Sequence, residues 1–303
     1  MNLGYACINM ELNARKGDDR VTTNRTMIKR TFQEKGVDYT SELVLQNVAD
    51  LYSIIEWNEQ NNIKFFRLSS EMFPWASEYY KDWDNFPNIE KIKSILQDCG
   101  NLATKYGHRI TSHPGPFNVL VSPNENVVQN TITDLTIHAD IFDFMGLSRT
   151  PYNKLNIHCN GVYGDKESAM DRFCKNFERL PESVQTRLTV ENDDKATMYS
   201  VKDLYEGIHK RIGIPIVFDY HHYKFNTGGQ TEQEALELAL STWGDIKPVV
   251  HYSESKAEHE LNESIRPQAH SDLIKELPNT YGNDIDVMVE AKHKELAIEG
   301  FIK

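Results

Sequence analysis

The sequence predicts a (β/α)8 TIM barrel with its active site at the C-terminal ends of the strands. Three observations lead there. Eight short runs rich in β-branched and aromatic residues recur along the chain, amphipathic helical stretches separate them, and several of those stretches stop at a glycine. Strand and helix in alternation imply parallel pairing through right-handed crossovers. No G-x-G-x-x-G follows any of the runs, which disfavours an open dinucleotide-binding sheet. With no low-complexity segment, linker or repeat, a single domain over residues 1–303 is expected.

In chain order, the strands are predicted at 2–8, 63–69, 108–112, 153–158, 187–191, 214–219, 247–252 and 285–290. The helices between them are predicted at 41–60, 89–107, 126–146, 165–179, 200–213 and 231–244, with Gly107, Gly146, Gly213 and Gly244 as stops.

Hydrophobic residues make up 39% of the 303, enough for a sizeable core. No apolar run approaches the roughly 18 residues of a membrane span, and the first residues show no secretory leader. Cys7, Cys99, Cys159 and Cys174 are scattered without a C-x-x-C pair, as free thiols in a reducing, intracellular setting would be. The formal charge of −12 weighs against a nucleic-acid partner unless bound cations offset it or the charge reverses locally. It does reverse between residues 15 and 35, where Arg15, Lys16, Arg20, Arg25, Lys29, Arg30 and Lys35 face only Asp18, Asp19 and Glu34. That stretch reads either as a solvated loop or as a phosphate-contacting surface.

The strand ends carry the chemistry. The third strand runs out into His113, the fourth into His158 and the fifth into Glu191, followed by Asn192, Asp193 and Asp194. The sixth ends in Asp219 with His222 just beyond, the seventh in His251 with His270 in the following loop, and the eighth in Glu290. In a barrel these ends share one face, the face that holds the active site. A lone strand-end histidine usually caps or hydrogen-bonds, but a ring of imidazoles and carboxylates has the composition of a metal site. Glu191, midway round the ring, is the natural bridge between two ions. Such a centre serves phosphodiester hydrolysis, and equally sugar isomerisation or epimerisation, and composition leaves both open.

The motifs go further. LGYACIN (3–9), TTNRT (22–26), FFRLSSEMFPWAS (65–77), SHPG (112–115), VENDD (190–194), FDYHHY (218–223), RPQAHSD (266–272) and VMVEAKHKE (287–295) resemble, in collinear order, the UV damage endonucleases. That family is similar in fold to the endonuclease IV type of abasic-site nuclease. The resemblance implies a metal-dependent barrel that nicks DNA immediately 5′ to cyclobutane dimers and 6-4 photoproducts, with abasic sites as further substrates. It implies His113, His158, Glu191, Asp219, His222, His251, His270 and Glu290 as metal ligands, with His221 a neighbour. Glu191, His113 and His251 would carry catalysis on two to three divalent ions, Mn²⁺ foremost, with Zn²⁺, Mg²⁺ or Co²⁺ as alternatives. UV-damaged duplex DNA is the implied partner, met by a monomer without a membrane. Tyr5, Asn9, Arg25, Pro116 and Phe117 are the candidate DNA- and lesion-contacting residues, Phe117 as a wedge that fills the stack when the lesion leaves it. The chain departs from the family pattern at Pro116 and Phe117, where many members have Gln and an aromatic. It departs again at Glu78, where some have His, and at Val249, where some have Lys.

Overall fold

A computed structural model describes residues 1–302. Eight strands, β1 (Leu3–Ala6), β2 (Phe65–Leu68), β3 (Arg109–Ser112), β4 (Leu155–His158), β5 (Leu188–Glu191), β6 (Ile216–Asp219), β7 (Val249–Tyr252) and β8 (Asp286–Val289), close into one parallel barrel in sequence order. The predicted (β/α)8 class is the observed one, each strand a shorter piece of its predicted range.

Side chains alternate across a strand, and here the alternation sorts the whole barrel. Ala6, Phe65, Val217, Val249 and Met288 pack with Trp243 as one cluster inside it. Tyr5, Phe66, Ile110, Ile157, Val190, Phe218, Val250 and Val289 join the larger cluster between strands and helices. Two residues beyond each inward Phe65, Val217, Val249 and Met288 come Arg67, Asp219, His251 and Glu290, which the period of two aims into the barrel mouth. The same step carries Thr111 to His113, Asn156 to His158 and Thr189 to Glu191. At the opposite end of the strands Arg109 spans from β3 to β8, donating to Asp286 Oδ2 at 3.2 Å and to the Lys247 carbonyl at 2.8 Å. Lys247 Nζ lies 3.1 Å from the other Asp286 oxygen, so an ion-paired floor closes the barrel beneath the apolar layer.

The helices start where polar caps permit. Asn124 accepts from the Asn126 N–H at 2.9 Å ahead of Glu125–Phe144, and Asp165 accepts from the Glu167 and Ser168 N–H groups ahead of Lys166–Phe177. Ser200 with Asp203, and Thr231 with Glu234, form capping boxes. Gly107 stops the helix Ile89–Tyr106 in left-handed backbone, φ 68°. Within that helix a Cβ on Gly100 would stand 1.7 Å from the Met145 carbonyl oxygen, so only glycine allows the two segments to meet there.

Three helical expectations shift. The predicted 41–60 helix begins at Lys29 and bends at Gly36, φ 67°. The stretch 200–213 contains a π turn over Tyr205–His209, and 231–244 tightens to a 3-10 turn at Ser241–Trp243. The alternation itself lapses between β7 and β8, where one short helix, Lys256–Glu260, precedes a long irregular segment. Among the described residues, no helix is long and apolar enough to cross a membrane.

Candidate metal centre

Glu191 sits at the centre of the mouth, 1% exposed, and four histidines surround its carboxylate. His113 Nε2 lies 3.2 Å and His251 Nδ1 3.0 Å from Oε2. His222 Nδ1 lies 3.4 Å and His158 Nε2 3.8 Å from Oε1. Asp219 is 3.8 Å from His222 Nδ1, and Glu290 Oε1 is 3.2 Å from His251 Nδ1. Two sets of ligand atoms fall within 4.8 Å of one another: His113, His158 and Glu191, and Glu191, Asp219 and His251. Glu191 belongs to both.

Outer contacts orient the rings. His113 Nδ1 donates to the Pro114 carbonyl at 3.2 Å and His222 Nδ1 to the Asn192 carbonyl at 2.9 Å, which leaves each Nε2 with its lone pair free. His158 Nδ1 stands 3.3 Å from Asp193 Oδ1, off the hydrogen-bond direction. His251 is turned the other way: its Nε2 meets the Lys154 amine at 3.1 Å, and Nδ1 faces the carboxylates. Asn156 donates to Glu191 Oε2 and accepts from the Thr189 hydroxyl at 2.7 Å, a buried chain that fixes the central carboxylate.

The electrostatics follow from burial among mixed charges. Burial alone would raise the Glu191 carboxyl, but His251, His158 and His113 hold it well below the usual carboxylate range. Burial likewise opposes charge on His158, yet Glu191, Asp193 and Asp219 push it up to about 10. Burial drives His113 down to about 4 against the pull of Glu191, and raises Asp219 to about 6. Glu191 Oε1, Asp219 Oδ2, His158 Nδ1, His251 Nδ1 and His270 Nδ1 are buried without a hydrogen-bond partner. Orphaned polar atoms in such number cost roughly 1–3 kcal/mol each unless something completes them. A divalent cation would, and the mixed nitrogen and oxygen donor set is of the kind that could hold one.

The remaining expected ligand, His270, is carried on the β7–β8 segment. An antiparallel bridge between Ser255 and His270 holds it, and its ring lies 5.3 Å from that of His221. His221 itself bonds to the Gln268 carbonyl at 3.1 Å, tying that segment down.

The candidate DNA contacts divide. Phe117 is 87% exposed beside exposed Pro116, on the loop after β3, and with Glu78, Tyr80 and Asn118 it lines a surface groove. Tyr5 and Asn9 are buried instead. Gly4 and Ala6 face the barrel interior, so the strand period sends Tyr5 outward, where its hydroxyl donates to Asn58 at 2.7 Å and accepts from Asn9 at 3.0 Å. Asn9 also caps the Leu12 N–H at 2.8 Å. Arg25 spends its guanidinium on Asp50 and the Thr22 carbonyl, both at 2.6 Å, and on the Arg20 carbonyl at 3.1 Å. All three brace the β1 loop, with Arg25 partly exposed. Arg15, Lys16, Arg20, Lys29, Arg30 and Lys35 remain exposed around them.

Three residues of the site escaped the sequence reading: Arg67, which ion-pairs with Glu290, Lys154 and Asn156. A lone charge inside the apolar run FFRL was the available signal for Arg67. Lys154 bears on the Val249 departure, because a lysine reaches the His251 ring from the edge of β4 instead of from two residues before His251 on β7. Burial lowers that amine to about 7.

Fold and site together define a class: (β/α)8 proteins with a histidine–carboxylate centre fit for divalent cations at the C-terminal mouth. Within it, this chain belongs to the UV-endonuclease UvdE family, whose pattern matches residues 1–303. The UV-damage endonuclease of Schizosaccharomyces pombe (strain 972) is 38% identical over 306 residues, which cover 98% of this chain and 49% of that protein. The chain therefore spans about half the length of that relative. The crystal structure of SacUVDE superposes with a TM-score of 0.83 at 31% identity, covering 100% of this chain and 96% of the other. A D-psicose 3-epimerase from Clostridium cellulolyticum H10, with D-tagatose, superposes with a TM-score of 0.51 at 12% identity over 79% of this chain and 78% of its own. That is a likeness of fold alone.

Proposed function

We propose that this chain is a metal-dependent DNA endonuclease that nicks duplex DNA immediately 5′ to cyclobutane dimers and 6-4 photoproducts, with abasic sites as a second substrate. The observation that carries this reading is Glu191, shared between two candidate ligand triads amid unpartnered buried donors, in a chain of the UV-endonuclease UvdE family. His113, His158, His222 and His251 would hold the ions around Glu191, with Asp219, Glu290 and His270 completing the set. Paired divalent cations supply Lewis acidity toward a phosphoryl oxygen and activate water at neutral pH.

The protein's own part is positioning. Asn156 and Thr189 fix the Glu191 carboxylate, while the Pro114 and Asn192 carbonyls set the tautomers of His113 and His222. Phe117, exposed on the catalytic face, is the residue able to enter the duplex and hold open the gap left by an unstacked lesion. Photoproducts already stack and pair badly, so extruding them costs less than extruding normal bases, which supplies part of the selectivity. The sugar-isomerase alternative draws support only from a distant likeness of fold.

The test is nicking of UV-irradiated supercoiled plasmid with Mn²⁺, against unirradiated plasmid and a chelator control. Lesion-dependent relaxation that the chelator abolishes is the expected outcome. Equal nicking of irradiated and unirradiated plasmid, or none under any divalent metal, would sink the reading.

A further inference from the structure

Among the described residues, Arg67 is the one Arg or Lys that ion-pairs with a carboxylate of the cluster. Its place follows from the strand period: Phe65 lines the barrel interior, so Arg67 two residues on points into the mouth, beside Ala6 of β1 and Thr111 of β3. Its side chain is 14% exposed, and its single hydrogen bond runs from Nη1 to Glu290 Oε1. Nε is buried with no partner.

The protein's two fully buried arginines behave otherwise. Arg109 bonds Nε to the Tyr152 carbonyl at 2.9 Å, Nη1 to the Lys247 carbonyl at 2.8 Å and Nη2 to the Pro151 carbonyl at 3.4 Å. Arg187 bonds Nε to the Ser148 carbonyl at 3.0 Å, Nη1 to the Ser183 carbonyl at 3.2 Å and Nη2 to the Leu147 carbonyl at 2.8 Å. In these two buried arginines every guanidinium nitrogen is used. At the metal centre, one arginine is held by a single bond, and its other donors are left over.

The surroundings say what those donors would take. Glu191, Asp219 and Glu290 crowd the mouth, so any anion that reaches the centre needs a cation beside it. The guanidinium fork matches two oxygens of a phosphate better than an ammonium does.

We propose that Arg67 is a phosphate-binding residue of this site, its unused guanidinium donors taking non-bridging oxygens of the DNA phosphate presented to the cluster. The assignment rests on the endonuclease reading above. Glu290 then has a second role, holding the guanidinium in the mouth until the phosphate arrives.

A DNA-binding protein that loses one phosphate contact loses about 0.9 from the slope of log K against log salt concentration. Parent and Arg67→Gln would be compared for binding to irradiated and to unirradiated duplex across a NaCl series. Ca²⁺ would replace Mn²⁺, and a gel would check that the duplex stays intact. Expected is a slope shallower by about one contact for Arg67→Gln on irradiated duplex, with metal content equal to the parent's. An unchanged slope overturns the proposal, and so does an unchanged slope with lost metal, which would make Arg67 a positioning residue for Glu290 only. If the Gln variant does not fold, Arg67→Lys carries the test, since it keeps the charge and removes the fork. A nicking rate at least tenfold lower at parental metal content supports the proposal, and a parental rate overturns it. A parent that binds irradiated and unirradiated duplex alike, with a slope that still falls in Arg67→Gln, would separate the two claims: the lesion reading fails and the phosphate contact stands.

Discussion

At the scale of single residues, Glu191 and Phe117 make opposite demands on the fold, and each can be tested alone. Glu191 is buried at the shared corner of the two candidate triads. Glu191→Gln preserves its volume but removes the charge that faces four histidines. Plasma mass spectrometry should show metal content falling from at least two equivalents per chain to below one, while nicking falls by more than about 100-fold, the upper end for losing even an outer-sphere partner. The apolar layer and ion-paired floor lie below this carboxylate, so circular dichroism should stay native. Retained nicking at unchanged metal content would refute the shared-ligand role. Phe117, at 87% exposure, contributes little to the folded state, so Phe117→Ala should leave the melting temperature where it is. Its affinity for irradiated duplex should drop by roughly 1–3 kcal/mol, the range for losing one base–aromatic stack. Equal affinity in variant and parent would make it a loop residue and nothing more. The eight expected ligands were legible because histidines and acids at strand ends announce themselves. Lys154 and Asn156 were not, since each acts through the barrel interior and sits at or beside a strand without a local signal, and Arg67 left only the mark of one charge in an apolar run. The burial of Tyr5 was not legible for a related reason: nearness to a strand end does not say which face a side chain takes, and one residue of register decides it.

Among the elements, the eight strands and most helices could be read directly, because apolar period and glycine stops are local signals. The β7–β8 segment could not, because what orders it is a set of scattered contacts, a buried carboxylate among them, rather than a repeating pattern. Glu254 is 8% exposed and accepts from His259, from the Tyr252 hydroxyl at 3.0 Å and from the Lys275 and Glu276 N–H groups at 2.9 and 3.3 Å. Its backbone carbonyl takes the Ser271 N–H at 2.8 Å, next to His270. Burial opposes its charge, but the His259 contact and the two backbone N–H groups hold the carboxyl below its usual 4.5. A depressed carboxylate stabilises the fold above its unfolded value and stops doing so as pH falls through its folded value. The segment 254–276 should therefore open to hydrogen exchange, corrected for the intrinsic rate, as pH drops below 4.5, ahead of the strands. Glu254→Gln should show the same opening at neutral pH and a lower metal content through His270. If the segment in the variant stayed as protected at neutral pH as in the parent, Glu254 would not be its anchor.

For the molecule as a whole, the question is how a chain of net charge −12 that gathers carboxylates in one mouth would meet the polyanion its proposed function requires. The floor of Arg109, Lys247, Asp284 and Asp286 balances its own charges, whereas the mouth gathers Glu191 and Asp219, both buried, with Glu290, 16% exposed. Divalent cations there would neutralise the mouth and complete its orphaned donors, and the exposed basic stretch around residues 15–35 would then face DNA without an acidic centre beside it. Metal that binds the folded protein alone must stabilise it: at free ion a hundredfold above Kd the gain is about 2.7 kcal/mol per site. Each kcal/mol moves the midpoint of a chain somewhat smaller than this one by about 2–4 °C. Protein stripped by chelator and titrated with Mn²⁺ should thus rise in melting temperature by about 5 °C or more in scanning calorimetry. Glu191→Gln should rise far less over the same titration, because the shared corner is gone. A melting temperature indifferent to Mn²⁺ that is demonstrably bound would mean that the ions sit on the surface. An equal rise in the Glu191 variant would mean that they bind elsewhere than between the two triads.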